Sequence, residues 1–316
     1  MSTMIKAIRV HQYGGSEELK LEEILCPQPG AGEVLVRVHA AAVLPIEWKV
    51  RQGMFKQFRP LTFPYTPGSS LAGVIEAVGP GVTKLKVGDA VFGRSAIGGT
   101  YAEYTVAAED YLAVKPDTLS FDEAATISGG ALTAWSALFD SGELQPGQRV
   151  LIHGAAGGVG LFAVQLAKWR GAEVIGTCGT DNAAFVSSLG ADHVVDYTKE
   201  RFEDVAGQGS QGVDLVLDTV GGETQSRSFT VLKPGGRMIS LVGQPSQEKA
   251  EEQGVKAIFS NKLPAAEALG QIAGLIDEGH LKAVVGAAFP LAEAAQAQDR
   301  SQTGHGRGRI VLHIAD

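Results

Sequence analysis

The segment from Arg149 to Cys178, RVLIHGAAGGVGLFAVQLAKWRGAEVIGTC, constrains the fold more than any other. An apolar run, Val150 to Ile152, meets a glycine-rich turn. A stretch with helical periodicity follows, and a second apolar run closes the segment at Val174 to Thr177. This order predicts a strand, a tight turn, a helix and a parallel strand, with the helix start facing an anion. Gly154, Gly157 and Gly160 recur at every third residue. Without side chains they let the backbone turn sharply, approach a pyrophosphate and pack the helix on the sheet. Ala155 and Ala156 stand where the usual G-x-G-x-x-G carries a second early glycine. An ordinary strand-to-helix turn is the alternative reading, but strand, helix and strand in the right order favour a dinucleotide site. Its expected contacts are Gly154, Gly157, Gly158, Val159 and Gly160.

The rest of the chain divides by pattern. Up to about residue 122, short Val-, Ile- and aromatic-rich runs (Ile5–Val10, Glu33–Ala42, Ser70–Val78, Ala90–Phe92, Tyr101–Ala107, Tyr111–Val114) are punctuated by Gly, Pro and Asp. That pattern predicts a mainly antiparallel, barrel-like domain. Ser120-Phe121-Asp122-Glu123 then reads as a capping box. From 123 to 263 strands alternate with helices: strands at Val150–His153, Glu173–Thr177, His193–Tyr197, Val213–Thr219, Arg237–Val242 and Ala257–Ser260, helices near 158–170, 182–189, 199–206 and 223–232. This is the α/β signature of a doubly wound parallel sheet. An amphipathic helix at Ala265–Glu278, strands at Val284–Phe289 and Arg309–Ile314 and a helix from Leu291 return residues 264–316 to the first domain. Gly207–Gly212 reads as a mobile loop.

Composition narrows the function. With 44% hydrophobic and 20% charged residues among 316, the chain has ample core, and 316 residues suit two domains. A net charge of −8 disfavours a nucleic-acid partner. No run approaches the length that spans a membrane, and the opening MSTMIKAIRV shows no leader pattern. The two cysteines, Cys26 and Cys178, form no disulfide framework, so a cytoplasmic location is expected.

Several blocks resemble the zinc-independent, zeta-crystallin-like quinone oxidoreductase branch of the medium-chain dehydrogenase/reductase superfamily. They are PGAGEVLVRVHAAAV (29–43), PGSSLAGVIEAVGPGVTKLKVGDAVFG (67–93), GTYAEYTVAAEDYLAVKPDTLSFDEAA (99–125) and GHGRGRIVLHI (304–314). The resemblance implies a GroES-like, mainly antiparallel β-barrel domain, a Rossmann domain and a ligand cleft between them. It also implies a homodimer joined through edge strands near Ile239–Val242 and Ala257–Ser260. Zinc members of the superfamily ligate their catalytic ion at positions that here carry Leu44, Ser69 and Gly129. Tetrahedral zinc needs three or four thiolate or imidazole ligands, and the seven histidines are scattered, so no zinc is expected. His153, ending a buried strand, reads as a packed neutral ring.

For the cofactor, NAD sites place an acid at the tip of the second strand, but that tip here is Thr177-Cys178-Gly179. Asp181 falls in the following loop, where capping the next helix is its simpler role. No Lys or Arg lies between Gly171 and Thr198, and the family's usual Lys is replaced by Ala183. Thr180 and Tyr197 match family positions that contact the 2′-phosphate through hydroxyls, Gly179 at the tip is a further expected cofactor contact, and the neutral tip with these two hydroxyls points to NADPH over NADH. Thr219, Val220 and Gly243 end strands at the carboxyl edge of the sheet, where such folds bind ligands. The resemblance places Thr133 near the nicotinamide.

The resemblance further implies hydride transfer to a small quinone or an activated alkene or enone. Conjugation in such substrates spreads charge that no metal would meet. The segment LPIEWKVRQG (44–53) resembles the family's N-P-x-D-x-x-x-R-x-G, with Leu44 in place of Asn and Glu47 in place of Asp. Candidate pocket walls are Leu44, Trp48, Met54, Phe55 and Tyr65; core packing is the competing role for each. Tyr65 is the one weak candidate for a proton donor. Two alternatives stand beside this reading: a nicotinamide-nucleotide-binding protein of little turnover acting in regulation or structure, and a reductase of acrylate-type double bonds.

Overall fold

The computed structural model describes residues 3–58, 60–96, 98–207, 211–260 and 266–316. The chain divides into two compact units. Unit 1 comprises 1–129, 269–277 and 283–316; unit 2 comprises 130–268 and 278–282.

Unit 1 begins with an antiparallel pair, β1 (Met4–Arg9) and β2 (Lys20–Leu25). Next come β3 (Glu33–Ala42), helix α1 (Pro45–Arg51), β4 (Ser70–Val78), β5 (Ala90–Arg94), β6 (Tyr104–Ala108) and β7 (Leu112–Val114). Helix α2 (Phe121–Trp135) carries the boundary between the units at Gly129 and runs on into a π-helical turn, Ser136–Ser141. Its start is the expected capping box: Ser120 Oγ accepts the Glu123 N–H, and the Glu123 carboxylate accepts the Ser120 N–H at 2.9 Å.

Unit 2 is built from β8 (Arg149–Ile152), α3 (Gly160–Trp169), β9 (Glu173–Cys178), α4 (Ala183–Ser188), β10 (His193–Asp196), α5 (Phe202–Ala206), β11 (Val213–Asp218), α6 (Gly222–Ser228), β12 (Leu232–Ser240), α7 (Gln247–Gln253) and β13 (Lys256–Phe259). The strands form a parallel sheet in the order β10-β9-β8-β11-β12-β13 among the described residues. Both faces of such a sheet are covered, so its strands carry short buried apolar runs, such as Val150–Ile152 in β8 and Leu215–Leu217 in β11. Leu151, Ile175, Val195, Val216 and Met238 share one buried cluster. Strand order reverses between β8 and β11, the switch point at which open α/β sheets bind ligands.

The chain then passes through α8 (Ala266–Asp277), β14 (Val285–Pro290), α9 (Ala294–Gln302) and β15 (Arg309–His313). Strand β15 pairs with β3, so the C-terminal strands complete the sheet of unit 1, ordered β14-β15-β3-β4-β5-β7 with β6 on β3. The pairs are antiparallel except β14 with β15.

Ile239–Val242 was expected at a sheet edge, but Ile239 and Ser240 lie in β12, which is paired on both sides, by β11 and by β13. Of the two segments only β13, holding Ala257–Phe259, is at the edge. The expected loop at Gly207–Gly212 lies partly outside the described residues. No helix of the described residues is long and apolar enough to cross a membrane.

Candidate nucleotide site and the buried glutamate of the first unit

The glycine turn sits at the carboxyl end of β8. Gly154 has φ +68°, and a Cβ there would lie 2.5 Å from Thr219 Oγ1, so both conformation and space demand glycine. Gly160, the first residue of α3, is tighter: a Cβ would lie 2.1 Å from the Gly154 carbonyl oxygen and 2.8 Å from Ala155 Cα. The helix therefore approaches the strand end as closely as backbone allows. Within the turn the Gly157 N–H donates to Gly154 O and the Leu161 N–H to Gly157 O. The amides at Gly158, Val159 and Gly160 form the open end of α3, where a helix has donors without intrahelical acceptors and favours an anion.

Buried polar groups fix the shape of this edge. His153 is buried between Thr177 Oγ1 (3.1 Å) and Ser228 Oγ (2.8 Å), and burial pulls its imidazole down to about 4. It is a neutral, packed ring. Thr219 donates its hydroxyl proton to the His153 carbonyl at 2.8 Å, tying the end of β11 to the end of β8. Asp218, fully buried, accepts the Val220 and Gly221 N–H groups (2.9 and 2.8 Å), the Gln225 amide (2.8 Å) and the Ser240 hydroxyl (3.1 Å). That carboxylate sets the turn after β11 and links it to β12. Val220 is exposed at the rim and Gly243 half-buried. Sequence reasoning passed over Asp218, although an Asp before Thr-Val-Gly-Gly is a recognisable Asx-turn signal.

Thr133 lies on α2 one turn beyond Gly130, whose close approach to the Gly158 carbonyl (a Cβ would be 2.5 Å away) seats that helix on the glycine turn. The expected residues at the strand ends of unit 2 thus lie along one edge of one sheet. At its far side Gly179 and Thr180 follow β9, and Tyr197, 58% exposed, follows β10. The Thr180 hydroxyl donates to Asp196 Oδ2 at 2.6 Å. Hydrogen bonds from Lys199, Thr180 and Thr198 hold the Asp196 carboxyl well below the usual carboxylate range. Ala183 begins α4, and Asp181 lies in the turn before it. A polar pocket of about 330 Å³ lined by Glu143, Asp214, Lys233 and Arg237 opens at the amino ends of the strands, away from this edge.

In unit 1 the positions Leu44, Ser69 and Gly129 converge. A Cβ on Gly129 would lie 2.4 Å from Leu44 Cδ2. The Glu47 carboxylate accepts the Leu44 N–H at 3.0 Å, the Ser69 N–H at 3.0 Å and the Ser69 hydroxyl at 3.2 Å. The Tyr101 hydroxyl donates to its Oε2 at 2.6 Å. Burial raises the Glu47 carboxyl to about 7 against the pull of these donors. Arg309, buried nearby, donates to the Gly129 carbonyl at 3.0 Å, and burial lowers its guanidinium to about 10. A hydrocarbon, a hydroxyl and a bare backbone do not suit zinc, which takes thiolate, imidazole or carboxylate. Among the described residues no three His, Cys, Asp or Glu side chains are grouped to hold a metal ion.

The other expected pocket residues are scattered in character. Trp48 is half-buried on α1, its indole N–H without a partner among the described residues, with the Lys49 ammonium 5.4 Å from its ring centroid. Met54 is exposed and Phe55 half-buried. Tyr65 packs beside Phe63 against the core of unit 1; burial pushes its phenol up to about 12, making it a weaker acid than an ordinary tyrosine.

Comparison with known proteins agrees with this architecture. A family model described as the alcohol dehydrogenase GroES-like domain matches residues 30–117, and one described as zinc-binding dehydrogenase matches 189–312. The chain is 36% identical to the quinone oxidoreductase of Mus musculus over 327 residues, covering 98% of each chain. It is 33% identical to the chloroplastic quinone-oxidoreductase homolog of Spinacia oleracea, again covering 98% of each. The solved quinone oxidoreductase of Coxiella burnetii superposes with a TM-score of 0.88 at 33% identity, covering 99% of this chain and 100% of that one.

Proposed function

The chain belongs to the medium-chain dehydrogenase/reductase superfamily, within its zeta-crystallin-like quinone oxidoreductase relatives, and from that premise we propose that it reduces a quinone or an activated alkene with a nicotinamide dinucleotide. The observation that carries this reading is the approach of Gly160 to the Gly154 carbonyl, which leaves room for nothing but backbone at the start of α3. Bound there, the nicotinamide dinucleotide would supply hydride to the substrate.

The chain's own residues bind and position. The amides at Gly158, Val159 and Gly160 hold the pyrophosphate. Asp218 and Thr219 fix the turn at Val220 beside them. The chemistry runs without zinc in this reading, because Leu44, Ser69 and Gly129 offer no thiolate or imidazole. Charge gained by the substrate oxygen must then be spread by conjugation or met by hydrogen bonds, which selects quinones and enones over simple ketones. No side chain is assigned as essential acid. The NADPH expectation rested on a neutral β9 tip and the hydroxyls of Thr180 and Tyr197, and the first of those hydroxyls is engaged by Asp196. A homodimer would form through the β13 edge, and light scattering tests it.

Steady-state oxidation of NADH and NADPH with a panel of quinones, enones and an acrylate, before and after chelation, tests the proposal. Turnover on quinones or enones that survives chelation is expected. Nucleotide binding with no turnover on any of them would favour a regulatory or structural nucleotide-binding protein, and turnover on the acrylate alone would redefine the substrate.

A further inference from the structure

We propose that the adenosine end of the nucleotide site is built to accept a free ribose 2′-hydroxyl and to exclude a 2′-phosphate, so that the protein takes NADH in preference to NADPH. The proposal rests on the nicotinamide-dependent reading above and deepens it. It reverses the expectation that Thr180 and Tyr197 mark a phosphate site.

An NAD site of this fold places an acid at the tip of its second strand, where it accepts the ribose 2′-OH. Strand β9 ends without one. The register of the sheet supplies it from the neighbouring strand: Asp196 of β10 pairs with Cys178 of β9, directly beside the Gly179-Thr180 tip. Asp196 is buried and held in place on both oxygens. Thr180 Oγ1 donates to Oδ2 at 2.6 Å, while the Thr198 hydroxyl and N–H donate to Oδ1 at 2.7 and 3.1 Å.

A threonine hydroxyl has a single proton to give. Once Thr180 has given its proton to Asp196, it offers only lone pairs to anything else. Lone pairs accept from a sugar hydroxyl and repel phosphate oxygens. The carboxylate behind it is kept ionised by its donors. The cation at hand is already committed: Lys199 Nζ lies 2.8 Å from Asp196 Oδ2. It neutralises that carboxylate, where a 2′-phosphate of nearly two negative charges would need a surplus of positive charge. No other Lys or Arg occurs between 171 and 199, and the position that opens α4 is Ala183. The Thr180–Asp196–Lys199 group therefore fits a hydroxyl and lacks the surplus positive charge that a phosphate needs.

Calorimetric titration of the purified full chain with NADH and with NADPH tests this directly, since it reads binding and not turnover. Wild type is expected to bind NADH at least about tenfold more tightly than NADPH, the worth of one charge-assisted hydrogen bond. Asp196→Asn removes the negative charge and Ala183→Lys supplies a cation. Each is expected to raise NADPH affinity about tenfold or more while changing NADH affinity less. Ala183→Lys lies outside the Asp196 hydrogen bonds, so it decides the matter if Asp196→Asn does not fold. Equal or tighter binding of NADPH by wild type would overturn the proposal and leave the nicotinamide reading standing. Binding of neither nucleotide by folded protein would overturn both.

Discussion

The Tyr101 hydroxyl donates to Glu47 Oε2 at 2.6 Å, and both side chains are buried. Through Leu44 and Ser69 the same carboxylate ties the start of α1 to the residue before β4, and Arg309 acts on it electrostatically. Glu47 thus holds together the spot where Leu44, Ser69 and Gly129 meet. Truncation would orphan the Tyr101 hydroxyl and the Leu44 and Ser69 N–H groups. Glu47→Ala is expected to cost about 3–5 kcal/mol in urea unfolding, and Glu47→Gln, which keeps the shape, about 1–3 kcal/mol. An unchanged midpoint in both variants would contradict this structural role.

The pH dependence of that carboxyl has a definite sign. Burial raises it to about 7 in the fold, above the value of about 4.3 for a free glutamate. The fold binds this proton more tightly than the unfolded chain. Its contribution is fully present below about pH 4.3 and is lost as pH rises through about 7. The stability of wild type minus that of Glu47→Gln should fall by on the order of 1–3 kcal/mol between pH 4.5 and 8. A flat or rising difference would show that Glu47 is ionised throughout.

His153 behaves oppositely. Its imidazole, lowered to about 4 by burial, binds a proton less readily than the free side chain at about 6.5. Its contribution is present above about pH 6.5 and lost as pH falls toward 4. Wild type minus His153→Gln should therefore lose on the order of 1–3 kcal/mol between pH 7 and 4.5, read by thermal or urea unfolding. Absence of any difference over that range would mean that the ring is hydrated.

The glycine turn makes a graded prediction. A Cβ on Gly160 would lie 2.1 Å from the Gly154 carbonyl, one on Gly157 at 3.2 Å from the same atom. Gly160→Ala must push the start of α3 off the strand end and should weaken nucleotide binding about tenfold or more, with an unfolding cost of about 1–3 kcal/mol. Gly157→Ala should cost clearly less on both measures. The reverse order would place the close approach elsewhere.

Much of the fold was legible because burial imposes simple patterns. Glu33–Ala42 and Ser70–Val78 stand where their apolar runs predicted, and strands of the parallel sheet are marked by short buried apolar runs such as Val150–Ile152 and Leu215–Leu217. Elements held by other means were not read. Strand β2, KLEEIL, is charged and mostly exposed. Helix α7 buries only Ala250 and is defined by its ends: Ser246 accepts the Lys249 N–H, and Gly254 stops the helix at φ +61°. A serine and a glycine eight residues apart were the available signal. The site shows the same division. Glycines at a strand end have a local signature, whereas Glu47 depends on Tyr101 and Asp196 on Thr180, pairings made by the fold between residues far apart in the chain.

In the proposed function the amides at Gly158, Val159 and Gly160 grip the pyrophosphate of a nicotinamide dinucleotide. Titrating wild type and Gly160→Val with NADH and NADPH, following nicotinamide fluorescence and checking each protein by circular dichroism, tests it most directly. Saturable binding of at least one nucleotide by wild type, weakened at least about tenfold in folded Gly160→Val, is the predicted result. Folded wild-type protein that binds neither, or a variant that binds as well as wild type, would contradict the account.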